Sequence, residues 1–230
     1  LLEPGRDTHH SLKSKREGEK FMKLASPVLR DQHPIPADYA FGVIDPAQHV
    51  ALGPNINPPL TWSDLPPGTR SLALICHDRD VPTKADDVNQ EGRQVPADLP
   101  RADFYHWILV DLPPEPTQIL AGEFSQSVTP GGKPGPAGPR GVRQGINNYR
   151  EWFAGDPAMA GDYFGYDGPC PPWNDSIVHH YVFTLYALDV DRCPADGAFT
   201  GPEVVAALAG HILDQASFTA TYSLNPKIPA

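Results

Sequence analysis

Proline constrains this chain more than any other residue. The sequence holds 28 prolines and 20 glycines in 230 residues, about one position in five, and proline alone exceeds twice its usual share of about 5 %. Inside a helix a proline removes a backbone donor and drives its ring into the preceding turn. A helical bundle is therefore excluded, and the chain must be rich in turns, edges and irregular segments. A domain of this length buries roughly 70–75 % of the surface its unfolded chain exposes, so a sizeable core forms without covalent staples. Cys76, Cys170 and Cys193, an odd number, read as free thiols of a reducing compartment, and a cytoplasmic location is expected.

Eighteen basic against 28 acidic side chains leave a formal charge of −10, which speaks against wrapping a nucleic acid backbone, whose affinity comes from Lys and Arg. No stretch approaches the roughly 18–20 apolar residues of a transmembrane segment. Residues 1–21 are polar and rich in Lys, Glu and His, and read as a disordered N-terminal extension. A single domain is expected over 22–230.

Apolar runs of strand length recur between turn signals at 71–77, 106–112 and 180–188, with shorter candidates at 59–62 and 216–223. In the third run Tyr181, Phe183, Leu185 and Ala187 alternate with Val182, Thr184, Tyr186 and Leu188. Both sets are apolar enough to be covered, so this strand belongs between two layers. One helix is expected at 202–215, from the spacing of Val204, Val205, Leu208 and Ile212 behind a Thr200–Glu203 capping box, and a weaker one at 147–153. Residues 83–103 and 129–145 resist any regular reading and are expected as surface loops. The fold class is mainly β, a sandwich with Greek-key connections and a few peripheral helices, one near the C-terminus.

Polar side chains gather at the ends of the three core strands. His77, Asp78 and Asp80 follow the first, His106 opens the second, and His179, His180 and Tyr181 open the third, so a shared pocket at one rim is geometrically reasonable. No catalytic residue is assigned, because a Gly-x-Ser-x-Gly elbow is missing and no cysteine sits in an activating frame. His and Asp are good zinc or iron ligands, yet the diagnostic His and Cys spacings are absent. Adjacent His179 and His180 on a strand would also face opposite sides. The histidines read more simply as hydrogen-bonded structure, and neither a metal nor a cofactor is expected. Gly168-Pro169-Cys170-Pro171-Pro172 reads either as a rigid turn or as a pocket wall whose few free amides point at an anion. With His106 and His179 as switchable donors and Tyr181 as a neutral one, the group would hold a phosphate or carboxylate. Binding by an imidazolium predicts affinity that declines as pH rises through roughly 6 to 7.5.

These residues resemble a known family, the phosphatidylethanolamine-binding proteins, and in particular its bacterial Raf-kinase-inhibitor-like branch. Asn57-Pro-Pro-Leu-Thr-Trp-Ser-Asp-Leu-Pro-Pro-Gly-Thr69 is similar to the family's segment before its first core strand. Asp78-Arg-Asp-Val-Pro82 resembles its Asp-Pro-Asp-Ala-Pro box, and Tyr105-His106-Trp107 its His-containing second strand. Gly168-Pro-Cys-Pro-Pro172 and His179-His-Tyr181 resemble its Gly-x-x-Pro-Pro and His-Arg-Tyr elements. The resemblance spans nearly all of 22–224. It implies a β-sandwich with a small pocket for phosphate-like anions or phospholipid head groups, built from Asp78, His106, His179 and Tyr181. Asp80, Pro82, Gly168, Pro169 and Pro171 would wall it. It also implies a cis bond at Val81–Pro82, a homodimer, and a non-enzymatic role as a binder or as an inhibitor of a partner kinase or protease.

The sequence departs from the family pattern at Arg79, Val81 and His180, where proline, alanine and arginine are usual, and in longer segments at 83–103 and 129–165 that could lid the pocket or form a subunit interface. Three functions compete on the residues alone: an anion or head-group binder, an inhibitor that docks on an enzyme independently of the pocket, and a hydrolase or metal-dependent enzyme using the same rim.

Overall fold

The computed structural model describes residues 20–228. Of the expected N-terminal extension, residues 1–19 lie outside the described residues; Met22, just after it, is buried in the core. In chain order the elements are β1 (Lys23–Ala25), β2 (Gly42–Asp45), β3 (His49–Leu52), β4 (Leu60–Ser63), β5 (Ser71–Pro82), β6 (Arg101–Leu112), β7 (Gln118–Ile119), β8 (Arg143–Gln144), α1 (Tyr149–Trp152), β9 (His179–Leu188), α2 (Gly201–Leu208) and β10 (Ile212–Tyr222). The main sheet runs β10-β9-β5-β6-β8 with antiparallel neighbours. Strands β5, β6 and β8 lie side by side and β9 returns to the free edge of β5, the spatial order of a Greek key.

Both faces of this sheet are covered, as the doubly apolar alternation of β9 requires. Leu72, Leu74, Trp107, Leu109, Phe183 and Leu185 pack in one cluster with Leu60 and Trp62 of β4 and Ile119 of β7, which belong to the three-stranded sheet β1-β4-β7. On the other face Ala73, Ile75, Ile108 and Val110 pack with Phe199 and with Val204 and Leu208 of α2. Burial of such side chains, at about 25 cal/mol per Å² of apolar surface, is what stabilises two stacked layers.

Four local expectations need correction. The helix expected at 202–215 stops at Leu208: Gly210 adopts a left-handed φ of +86°, the usual C-terminal stop. Beyond it Ile212 pairs with Leu188 as the start of β10. The helix does begin where expected, with the Glu203 carboxylate accepting from the Thr200 amide at 2.7 Å. The segment 129–145 is not wholly a surface loop, because Val142, Arg143 and Gln144 are buried. There β8 pairs with β6, and Arg143 donates to Asp111 at 2.5 Å and to the Cys193 carbonyl at 2.7 Å. Such anchoring is polar and non-periodic, so it leaves no hydrophobic pattern. Residues 101–103 belong to β6 rather than to the preceding loop. Finally, the cis bonds among the described residues are Glu115–Pro116 and Gly135–Pro136. Val81–Pro82 is trans because β5 stays extended there, pairing with Ala102 and Arg101.

Candidate functional site

Two irregularities in the β5–β6 pairing build the site. Between the Cys76–Trp107 and His77–Tyr105 pairs, β6 carries one extra residue, His106; between Asp78–Phe104 and Val81–Ala102, β5 carries one extra. A bulge re-aims the side chains around it. The first one brings His106 to the same face as Trp107, Asp78 and Tyr181, where strict alternation would have sent it to the opposite one. The second displaces Asp80, whose carboxylate accepts from the His180 amide and from its ring Nδ1, both at 2.8 Å.

The result is a cavity of about 40 Å³ bounded by Asp78, Pro82, His106, Pro171 and Tyr181, with Val81, Phe104, Tyr149, Trp152, Cys170 and Pro172 completing the wall. At about 10–15 Å³ for each water-sized position, that is room for roughly three. That is the scale of a small polyatomic group. Of the residues singled out in the sequence, five therefore meet in one cavity. His179 stands behind it, Asp80 turns away to His180, and Gly168 and Pro169 do not line it. Those two tie the loop down instead: the Gly168 amide donates to Asn55 at 2.8 Å and the Pro169 carbonyl accepts from Phe41 and Gly42, each at 3.0 Å. The amides expected to point at an anion are thus reduced to that of Cys170, which donates to no atom among the described residues.

The electrostatics differ from two switchable histidines. His106 Nδ1 sits 2.8 Å from the Asp167 carbonyl oxygen. A carbonyl can only accept, so Nδ1 carries the proton and Nε2 is the polar atom left for a ligand. Burial pushes the His106 pKa down to about 4, against the opposing pull of Asp78, so the ring is neutral at physiological pH. The Asp167 carbonyl is held in place because the carboxylate of the same residue accepts from Asn55 at 2.7 Å and Asn147 at 2.8 Å, with Lys133 at 3.0 Å.

His179 is the reverse case. Its Nδ1 donates to Asp78 at 2.6 Å and its Nε2 to Asp175 at 3.1 Å; a ring that donates from both nitrogens is an imidazolium. Burial alone would lower its pKa, but Asp78 and Asp175 outweigh burial and push it up to about 9. Asp175 in turn accepts from Arg101 at 2.6 and 3.1 Å. The result is a row of alternating charges, Asp78, His179, Asp175 and Arg101, running from the cavity to the first residue of β6. Neither histidine titrates between pH 6 and 7.5, which removes the pH dependence expected from a protein imidazolium.

Tyr181 completes the site. Its hydroxyl is buried and has no partner in full hydrogen-bond geometry among the described residues, while burial, with the charge of the Asp78 carboxylate and a weaker hydrogen-bond pull from it added, holds its pKa well above the ordinary tyrosine value. A buried orphan donor is costly, about 1–3 kcal/mol, and points to a ligand. The Tyr149 hydroxyl, by contrast, donates to the Gly168 carbonyl at 2.7 Å.

Phe104, Tyr149 and Trp152 escaped the sequence reading as pocket residues. For Tyr149 and Trp152 the signal was present, aromatic side chains on the short expected helix at 147–153. The long segment at 83–103 also has a defined place. Asn174 donates to the Asp87, Gln90 and Arg93 carbonyls at 2.8, 3.3 and 3.1 Å and accepts from the Asn89 amide at 2.9 Å, which fastens the loop beside the row of charges.

The sequence profile described as phosphatidylethanolamine-binding protein matches residues 25–223. The chain belongs to that family. Among curated family relatives, UPF0098 protein YbhB of Escherichia coli is 31 % identical over 202 residues, 88 % of this chain and 100 % of its own length. A UPF0098 protein of Methanothermobacter thermautotrophicus is 32 % identical over 177 residues, 77 % of this chain and 89 % of its own. The crystal structure of a putative phosphatidylethanolamine-binding protein homologue from Chlamydia trachomatis matches with a TM-score of 0.59 at 28 % identity, covering 88 % of this chain and 97 % of that one. E. coli YbcL, described as a member of the mammalian family, shares the fold at a TM-score of 0.63 and 24 % identity, over 89 % of this chain and 99 % of that one. Among the described residues no helix is long and apolar enough to cross a membrane.

Proposed function

We propose that this member of the family is a binding protein, rather than an enzyme, whose rim cavity receives the phosphoryl end of a small phosphate-bearing ligand. The observation that carries the reading is the orphaned Tyr181 hydroxyl at the wall of a cavity of phosphoryl size. A ligand oxygen there would supply the missing acceptor. The non-enzymatic part rests on the state of the nucleophiles. Burial pushes the Cys170 thiol up to about 12 and the Tyr149 and Tyr181 hydroxyls well above their ordinary value. All three stay protonated, and so weakly nucleophilic, at neutral pH. His106 could accept a proton through Nε2, but among the described residues it makes no hydrogen bond to the Cys170 thiol or to either hydroxyl that would let it activate one.

The test is calorimetric titration with inorganic phosphate and phosphoethanolamine at pH 5.5, for the wild type and Tyr181→Phe. A hydrogen bond to a charged ligand contributes about 1.5–3 kcal/mol, so the variant should bind about 10- to 100-fold more weakly while folding normally. Equal affinity in both proteins would place the anion elsewhere and remove this reading.

A further inference from the structure

The polar atoms facing this cavity are an unusual set for an anion. Asp78 presents a carboxylate, already accepting from His179 and, through Oδ1, from the Asp80 amide at 2.8 Å. His106 presents a lone pair on Nε2, because its one proton is committed to the Asp167 carbonyl. Against these two acceptors stands one neutral donor, the Tyr181 hydroxyl. A fully ionised phosphate would meet a carboxylate and a lone pair with nothing to bridge them. A phosphate that keeps one proton would donate its P–OH to His106 Nε2 or Asp78, and another of its oxygens would accept from Tyr181. Resting on the phosphoryl reading above, we infer that the cavity takes its ligand together with a proton, and so selects phosphate monoesters, which can carry one, over phosphodiesters and sulfate esters, which cannot.

The charges around His106 leave no other source for that proton. Asp78 on β5 accepts from His179 of β9, whose two ring N–H groups are taken up by Asp78 and Asp175. Tyr181 of β9, Tyr149 of α1 and Cys170 of the preceding loop are held neutral by burial. The Asp167 carboxylate is turned toward Lys133 and two asparagines. A ligand without a proton must therefore protonate His106 itself. From a resting pKa of about 4 that carries an affinity penalty of about 1000-fold at pH 7, since each pH unit is a factor of ten. A monoester, with a second pKa near 6, is about one-tenth protonated at pH 7 and meets a penalty of only about tenfold. The monoester advantage at pH 7 is about 100-fold from proton supply alone. A phosphodiester lipid head group falls on the losing side of that comparison.

Methyl phosphate and methyl sulfate make the matched pair, alike in shape and in charge at pH 5 and different in the one proton. Titrating both, with glycerophosphoethanolamine as the diester arm, from pH 5 to 8.5 in buffers of contrasting ionisation enthalpy reads affinity and proton uptake together. The expected result for methyl phosphate is affinity falling about tenfold per pH unit above 6, with about one proton taken up per ligand at pH 8 and none at pH 5. Methyl sulfate and the diester should bind about 100-fold more weakly at pH 7. Methyl phosphate affinity that is flat from pH 6 to 8.5, or a diester that binds as tightly, would overturn the inference and leave the phosphoryl site standing. Absence of methyl phosphate binding at pH 5, or binding that Tyr181→Phe leaves unchanged, would overturn both.

Discussion

Two buried histidines with opposite displacements should give the fold a stability maximum near pH 6.5. His106 is neutral when folded, with a pKa near 4, while an unfolded histidine titrates near 6.5. Between pH 6.5 and 4 the unfolded chain binds one proton more than the native state, so stability falls as pH falls, by about 1.4 kcal/mol per unit and about 3 kcal/mol over the full interval. His179 is charged when folded, with a pKa near 9. From pH 6.5 to 9 the native state holds the extra proton, and its contribution, complete below 6.5, is lost as pH rises, again about 3 kcal/mol in total. Urea unfolding at half-unit steps from pH 4.5 to 8.5 measures both limbs, and near its upper end the three thiols, raised when folded and about half ionised when unfolded, deepen the alkaline loss. His106→Gln isolates the first. Its difference from wild type should change by about 2 kcal/mol between pH 6.5 and 5, with the variant less sensitive to acid and its alkaline limb unaltered. Wild-type stability that stays level between pH 7 and 8.5, or an acid limb that survives in His106→Gln, would refute the assignment of a neutral His106 and a charged His179.

Tyr181→Phe removes an unsatisfied buried hydroxyl and should raise unfolding stability by up to about 1 kcal/mol while weakening phosphate binding, a pair of opposite signs that thermal melts and calorimetry check together. Arg101→Met strips Asp175 of a partly buried charge partner at 2.6 Å and should cost about 3 kcal/mol, read as a lower urea midpoint at unchanged slope. Gly210→Ala forces a side chain onto a residue at φ +86° with open space around it. The cost is backbone strain alone, about 1 kcal/mol, and a loss above 3 kcal/mol would show that the turn does more than end α2.

What could be read from the sequence, and what could not, divides along physical lines. The core strands were legible because burial on both faces writes itself as apolar alternation, which β5 and β9 carry through Leu72–Cys76 and Tyr181–Leu188 and β6 through Trp107–Val110. Helix α2 was legible at its start, where Thr200 and Glu203 cap it. Its end was not, since Ile212 falls on the helical face by spacing alone and only the left-handed Gly210 removes it. At the site, strand-end chemistry identified Asp78, His106 and Tyr181, but alternation by itself would put His106 on the wrong face. The extra residue that turns it round is a property of pairing between strands, and pairing is not written in either strand separately. Charge state was the least legible feature. His106 and His179 look alike in sequence, yet one loses its charge to burial, with only backbone carbonyls to bond, and the other keeps it because two carboxylates 97 positions apart in the chain close on it. That separation gives the long 83–100 segment its place in the argument. By delivering Arg101 to Asp175 and fastening itself to Asn174, it fixes the far end of the row of charges whose near end, Asp78, lines the cavity. On the proposed phosphoryl reading, the insertion acts on binding without touching the cavity, by holding His179 between its two carboxylates and so fixing the position of Asp78 at the cavity wall.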